Sequence, residues 1–228
     1  MIGVVIPAHN EALHIGASVS AAMRAGVHPA LAGEMVEVAV VLDSCTDATG
    51  AIAAGHGARI LSLNARNVGL ARAAGAQAML AAGARWLAFT DADTIVSPGW
   101  LVDQLAQQAD VVCGSIGVED WALHGEHGDF LQEHLARTYS DADGHAHIHG
   151  ANLGMSADAY RRAGGFPPLA CSEDVALVRA LQCIGARIAW SAAPRVVTSA
   201  RTDARARGGF GDTLLAVVAA SLGSLPVA

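Results

Sequence analysis

Between residues 1 and 93, short apolar runs alternate with helical patterns, and this alternation constrains the fold more than any other feature. Residues 2–6 read as a strand that Pro7 bounds. Asn10 is the expected N-cap of a helix in which Ile15, Val19 and Met23 recur at four-residue spacing, giving one inward stripe. Residues 36–42 give a second strand, followed by an Ala-rich helix from Thr46. Residues 58–63 give a third strand, 67–82 a third helix, and 86–90 a fourth strand that runs into Asp91-Ala92-Asp93. Strands this apolar are buried on both faces, so the pattern predicts a mostly parallel sheet flanked by helices. Ligands bind such sheets beyond the carboxyl ends of the strands. The residues at those ends are Pro7 to Glu11, Asp43-Ser44 and Asp91 to Asp93, and their convergence predicts a single site.

The second half is less regular. Residues 111–118 read as a strand, and the His-, Asp- and Glu-rich stretch 119–147 as helix and loop. Residues 156–163 and 172–184 read as helices, with 187–190 and 196–197 as short strands. No repeat or low-complexity linker divides the 228 residues, so a single domain is expected: residues 1–95 the donor half, residues 96–228 a smaller mixed acceptor-side half. A net charge of -7 argues against general nucleic-acid binding, which needs clustered Lys and Arg. The four cysteines (Cys45, Cys113, Cys171, Cys183) show no CxxC spacing, so reduced thiols and a cytoplasmic setting are expected. Met1 leads straight into the first strand without a basic leader, and no run reaches the roughly 18–20 apolar residues of a membrane span. The apolar tail from Leu214 reads as a packed or frayed helix; peripheral membrane association and oligomeric state stay open.

Several groups can carry chemistry. Asp91 and Asp93 stand at i and i+2 just past a buried strand, so both carboxylates can enter a cleft. Oxygen ligands of this kind suit Mg²⁺ or Mn²⁺, ions that keep coordination positions for phosphate oxygens. Glu173-Asp174 opens a helix behind Ser172, a candidate N-cap; the pair either serves the helix terminus or supplies a general base. Asp43 is either a turn and cap residue or an acceptor for a nucleobase edge. His145, His147 and His149 alternate, which on a strand would align three imidazoles for zinc; a solvated loop explains the first two more simply, with His149 lining the cleft. Arg201, Arg205 and Arg207 precede Gly208-Gly209 and are either an exposed basic loop or a segment closing on a diphosphate.

Taken in order, the motifs from Val4 to Arg187 resemble the family 2 glycosyltransferases of the GT-A fold. Val5 to Glu11 is similar to that family's opening strand and nucleotide loop, and Val41-Leu42-Asp43-Ser44-Cys45-Thr46-Asp47 to its second motif. Asn67 to Gly75 resembles the Asn-x-Gly turn that starts a helix carrying an arginine, here Arg72. Thr90 to Asp93 corresponds to DxD, Gly150 to Met155 to the acceptor-side segment, and Ser172-Glu173-Asp174 to the late ED motif. The resemblance implies a Rossmann-like α/β fold and sugar transfer from a UDP- or GDP-sugar to an acceptor hydroxyl. It implies a donor site of Pro7, Ala8, His9, Glu11, Asp43, Arg72, Asp91 and Ala92, with Asp93 holding Mn²⁺ or Mg²⁺. On the acceptor side it implies His149, Gly150, Ala151, Asn152 and Glu173, with Asp174 as base and inversion as the stereochemistry. There are departures. Leu42 stands where many members carry a further Asp, and the QxxRW signature of processive members is absent. A sugar-nucleotide pyrophosphorylase would need a Gly-rich basic loop after the first strand, and a dinucleotide oxidoreductase a GxGxxG; the chain has neither. A catalytically idle scaffold of the same fold is opposed by the joint presence of Asp91, Asp93 and Asp174.

Overall fold

The computed structural model describes residues 1–202 and 210–223, so Arg205 and Arg207 lie outside the described residues. The elements are β1 (Ile2–Ala8), α1 (Ile15–Gly26), β2 (Val36–Asp43), α2 (Thr49–Gly55), β3 (Arg59–Leu63), α3 (Val68–Ala81) and β4 (Trp86–Phe89). There follow β5 (Thr94–Val96), α4 (Trp100–Ala106), β6 (Val111–Gly114), α5 (Gly128–Thr138), β7 (Leu153–Ser156) and α6 (Ala157–Arg162). The last are α7 (Glu173–Cys183), β8 (Ile188–Ser191), β9 (Val196–Thr198) and α8 (Phe210–Gly223). Seven strands form one sheet in the order β3-β2-β1-β4-β7-β6-β8, and β5 pairs with β9 in a small second sheet. The sheet is parallel except for β7, which runs antiparallel to both β4 and β6.

Side chains alternate across each strand, so the sheet feeds two cores. Val4 and Ile6 pack with Ile15 and Val19 of α1, Ala53 of α2 and Trp100 of α4. Val5 and Val41 face the other way, onto Ala71 and Met79 of α3, Tyr160 of α6 and Leu177 of α7. A third, smaller cluster joins α8 to α5 and its flanking segments: Leu214 is buried with Trp121, Leu131 and Ala200. Among the described residues, no helix is long and apolar enough to cross a membrane.

The α/β architecture and its mostly parallel sheet match the expectation; several boundaries do not. Pro7 lies inside β1, opposite Val41 of β2. A central strand tolerates it because the ladder to β4 ends at Val5↔Phe89, so the N–H that proline lacks falls beyond that ladder. Asn10 does not cap α1: it adopts a left-handed backbone (φ 54°) and its Oδ1 accepts the Thr46 amide at 2.8 Å, tying the first loop to the second. The strand expected through residue 118 stops at Gly114, where any Cβ would lie 2.1 Å from Asn152 Nδ2. Ser172 occupies the N-cap position of α7 without a side-chain cap, at φ 59°. Strand β7 had no local signal, since Leu-Gly-Met-Ser carries neither alternation nor a β-branched run.

Candidate functional site

A cleft of about 820 Å³ opens beyond the carboxyl ends of β1, β2 and β4 and is roofed by α5 and α8. Pro7, Ala8, His9, Glu11, Asp43, Arg72, Asp91, Ala92 and Asp93 line it on the sheet side. His149, Gly150, Ala151, Glu173 and Asp174 face them from the other half. The strand ends therefore bring together nearly all the side chains singled out in the sequence.

Two ionic clusters form the floor. Arg72, buried in α3, reaches Asp91 Oδ1 at 2.5 Å through Nη2 and pairs with Glu173 through Nη1. A buried guanidinium is tolerable only when paired, and here the two carboxylates hold it from the loop after β4 and from α7. Gly150 leaves the room: a Cβ there would lie 2.3 Å from Arg72 Nη2. In the second cluster Arg201 donates to Glu11 at 2.8 Å and to Asp93 Oδ2 at 2.6 Å. Burial pushes the Asp93 carboxyl up to about 6; Arg201 opposes the rise, while Asp91 and Glu11 add to it. Arg201 thus already sits on the carboxylate expected to hold a cation.

Glu173 and Asp174 are adjacent but separate in role. Glu173 is sealed, 3 % exposed, against Arg72. Asp174 lines the cleft, its Oδ2 accepting the Gly150 amide at 2.7 Å and its Oδ1 the Val175 amide at 2.7 Å. Two other candidates are committed to structural bonds. Asp43 accepts the amides of Ala65 (2.8 Å), Arg66 (2.8 Å) and Asn67 (2.6 Å). Burial opposes ionisation of Asp43, yet those backbone bonds prevail and hold its carboxyl below the usual range. The turn reading of Asp43 therefore has the geometry behind it, and the loop it shapes carries Asn67, whose Oδ1 caps α3 through Leu70 N at 2.9 Å. Asn152 turns away from the cleft: Oδ1 accepts Trp100 Nε1 at 2.9 Å, and Nδ2 donates to Ser115 O (2.7 Å) and Pro194 O (2.9 Å).

The three alternating histidines are neither a zinc set nor a solvated loop. His145 is buried, and no strand aligns the three; their rings form a stack with Tyr139, which lies 4.0 Å from His147 at an interplanar angle of 9°. Their lone pairs are also engaged: His145 Nδ1 accepts the His147 amide and His147 Nε2 the Ser140 amide, each at 3.1 Å. Among the described residues no group of three or more His, Cys, Asp or Glu could hold a metal. For Mg²⁺ or Mn²⁺, ions commonly held by one or two carboxylates together with substrate phosphates and water, Asp93 at the cleft wall would be a single carboxylate ligand. Tyr139 and Ile116, which also line the cleft, escaped the sequence reading because nothing local marks them.

The family model described as Glycosyl transferase family 2 matches residues 3–164. No curated protein matches the chain by sequence. Among solved structures, Staphylococcus aureus TarS 1-349 in complex with UDP-GlcNAc aligns with a TM-score of 0.64 at 16% identity, over 100% of this chain and 68% of that one. A mannosyltransferase from Pyrobaculum calidifontis in complex with GDP-Man and Mn²⁺ gives 0.63 at 16%, over 90% and 58%. Glucosyl-3-phosphoglycerate synthase from Mycobacterium tuberculosis, in complex with Mg²⁺ and UDP, gives 0.56 at 20%, over 98% and 78%.

Proposed function

This chain belongs to glycosyl transferase family 2, with the GT-A fold, and from that premise we propose that it transfers a sugar from a UDP- or GDP-sugar to an acceptor hydroxyl with Asp174 as general base. One observation carries the assignment. Of two adjacent carboxylates, Glu173 is sealed against Arg72 while Asp174 faces the cleft opposite Asp91 and Asp93. The Gly150 and Val175 amides fix the carboxylate of Asp174. There it takes the acceptor proton as the acceptor oxygen bonds to the anomeric carbon. The bond to the diphosphate breaks on the opposite face, its electron pair leaves with the nucleoside diphosphate, and the configuration inverts.

On the donor side Pro7, Ala8, His9 and Glu11 line the wall that would face base and ribose, and Arg72 holds Asp91, whose carboxylate would meet the ribose. Asp93 would hold Mn²⁺ or Mg²⁺, which when bound neutralises charge on the departing diphosphate. Arg201, within reach of Asp93, would supply a second positive group to the same oxygens. The nucleotide and metal classes are those named for the similar mannosyltransferase and synthase structures.

A panel of UDP- and GDP-sugars, scored by slow donor hydrolysis with Mn²⁺, tests the reading without a known acceptor. Asp174→Asn should retain nucleotide binding and lose about 10²- to 10⁴-fold in turnover, the usual contribution of a general base. Undiminished turnover would assign the base elsewhere. Absence of hydrolysis and of transfer to every acceptor tried, despite nucleotide binding, would favour an idle scaffold.

A further inference from the structure

His149 lies one residue before Gly150, whose amide holds Asp174, and it lines the cleft. Its Nε2 lies 3.0 Å from the Tyr139 hydroxyl. That hydroxyl oxygen already accepts the Ile116 amide at 2.8 Å, which leaves its own proton to be given, with His149 Nε2 the acceptor within reach. With Nε2 accepting that proton, the proton of the neutral imidazole resides on Nδ1. Among the described residues Nδ1 has no protein partner, and the ring borders the cleft.

The ring is also kept neutral. Burial first, then the neighbouring His147 and His145, lower His149 to about 4, against a smaller opposing effect of Asp91. Burial likewise pushes the Tyr139 hydroxyl up to about 12, so it stays a donor. His147 stacks flat on Tyr139 and holds the phenol ring in place.

We propose that Tyr139 locks His149 in the Nδ1–H form, so that the imidazole presents a hydrogen-bond donor, neither a base nor a metal ligand, to a sugar hydroxyl oxygen bound beside Asp174. His149 touches the substrate and selects for an oxygen acceptor at that position; Tyr139 is a positioning residue acting through it. The sugar occupant rests on the transfer reading of the cleft, whereas the tautomer does not depend on it.

Two measurements separate those claims. In protein labelled with ¹⁵N-histidine, long-range ¹H–¹⁵N correlation spectra report the tautomer, with His149 identified by its loss in His149→Asn. The wild type should show Nδ1–H at neutral pH, and Tyr139→Phe should shift it toward a mixture with Nε2–H. An Nε2–H pattern in the wild type, or no change in Tyr139→Phe, overturns the lock. The second measurement is turnover of whichever UDP- or GDP-sugar is hydrolysed. His149→Ala should raise KM about tenfold, as expected for one lost hydrogen bond. His149→Asn, whose amide nitrogen occupies the place of Nδ1, should recover part of that loss, while His149→Gln, which mimics Nε2, should not. Recovery by Gln instead of Asn overturns the donor role even if the tautomer stands.

Discussion

At Asp93 a single carboxylate links stability to function. Its folded value of about 6 lies above the ordinary 3.8, chiefly through burial. A raised carboxylate favours the protonated folded state, so the stability it contributes is complete below the unfolded value and lost as pH rises through about 6. At pH 8 the ionised group therefore costs on the order of 3 kcal/mol in the ligand-free protein. Asp93→Asn should raise the melting temperature at pH 8 by about 6–12 °C, at roughly 2–4 °C per kcal/mol in a domain this size, with the gain shrinking as pH falls below 6. Melting curves across that range check it; a constant loss would mean that the Arg201 ion pair outweighs burial. The Asp-x-Asp spacing was legible in the sequence, but the partner was not. Arg201 meets Glu11 across 190 residues, and no local pattern announces such a pair. For the same reason Asp43 could be placed at a strand end without its three amide donors being foreseen.

Elements were legible in proportion to how local their cause is. Strands β1 to β4 follow from apolar runs, and α3 from Asn67 at its N-terminus. Strand β7 exists because β4 and β6 pair with it from both sides, a reason absent from its own four residues. Asn152 opens the turn into β7 and bridges three segments, through Trp100 of α4, Ser115 after β6 and Pro194 before β9. Its side chain is read from sequence as a substrate contact, yet it is 1 % exposed and serves the core. Asn152→Ala leaves three buried groups without partners, which should cost about 3 kcal/mol or more at roughly 1–3 kcal/mol for each. Urea denaturation measures that loss. A change below about 0.5 kcal/mol, the level of an ordinary surface substitution, would show that water replaces all three bonds.

Across the whole molecule the cleft is the meeting place of segments far apart in the chain: the ends of β1, β2 and β4, the starts of α3 and α7, and the residues after β9. A ligand that spans them stabilises the fold by mass action, by about 2.7 kcal/mol at a hundredfold excess over Kd. For a chain of this size that corresponds to roughly 5–10 °C. UDP or GDP should therefore raise the melting temperature, and should do so more with Mn²⁺ or Mg²⁺ than with chelator. The geometry gives this comparison a second meaning, because Arg201 already places a positive group on Asp93. If the cation and Arg201 compete for that carboxylate, Arg201→Ala should enlarge the increment due to Mn²⁺ while weakening nucleotide binding in chelator. If Arg201 alone neutralises the diphosphate, the shifts with Mn²⁺ and with chelator should be equal in the wild type and should vanish together in Arg201→Ala.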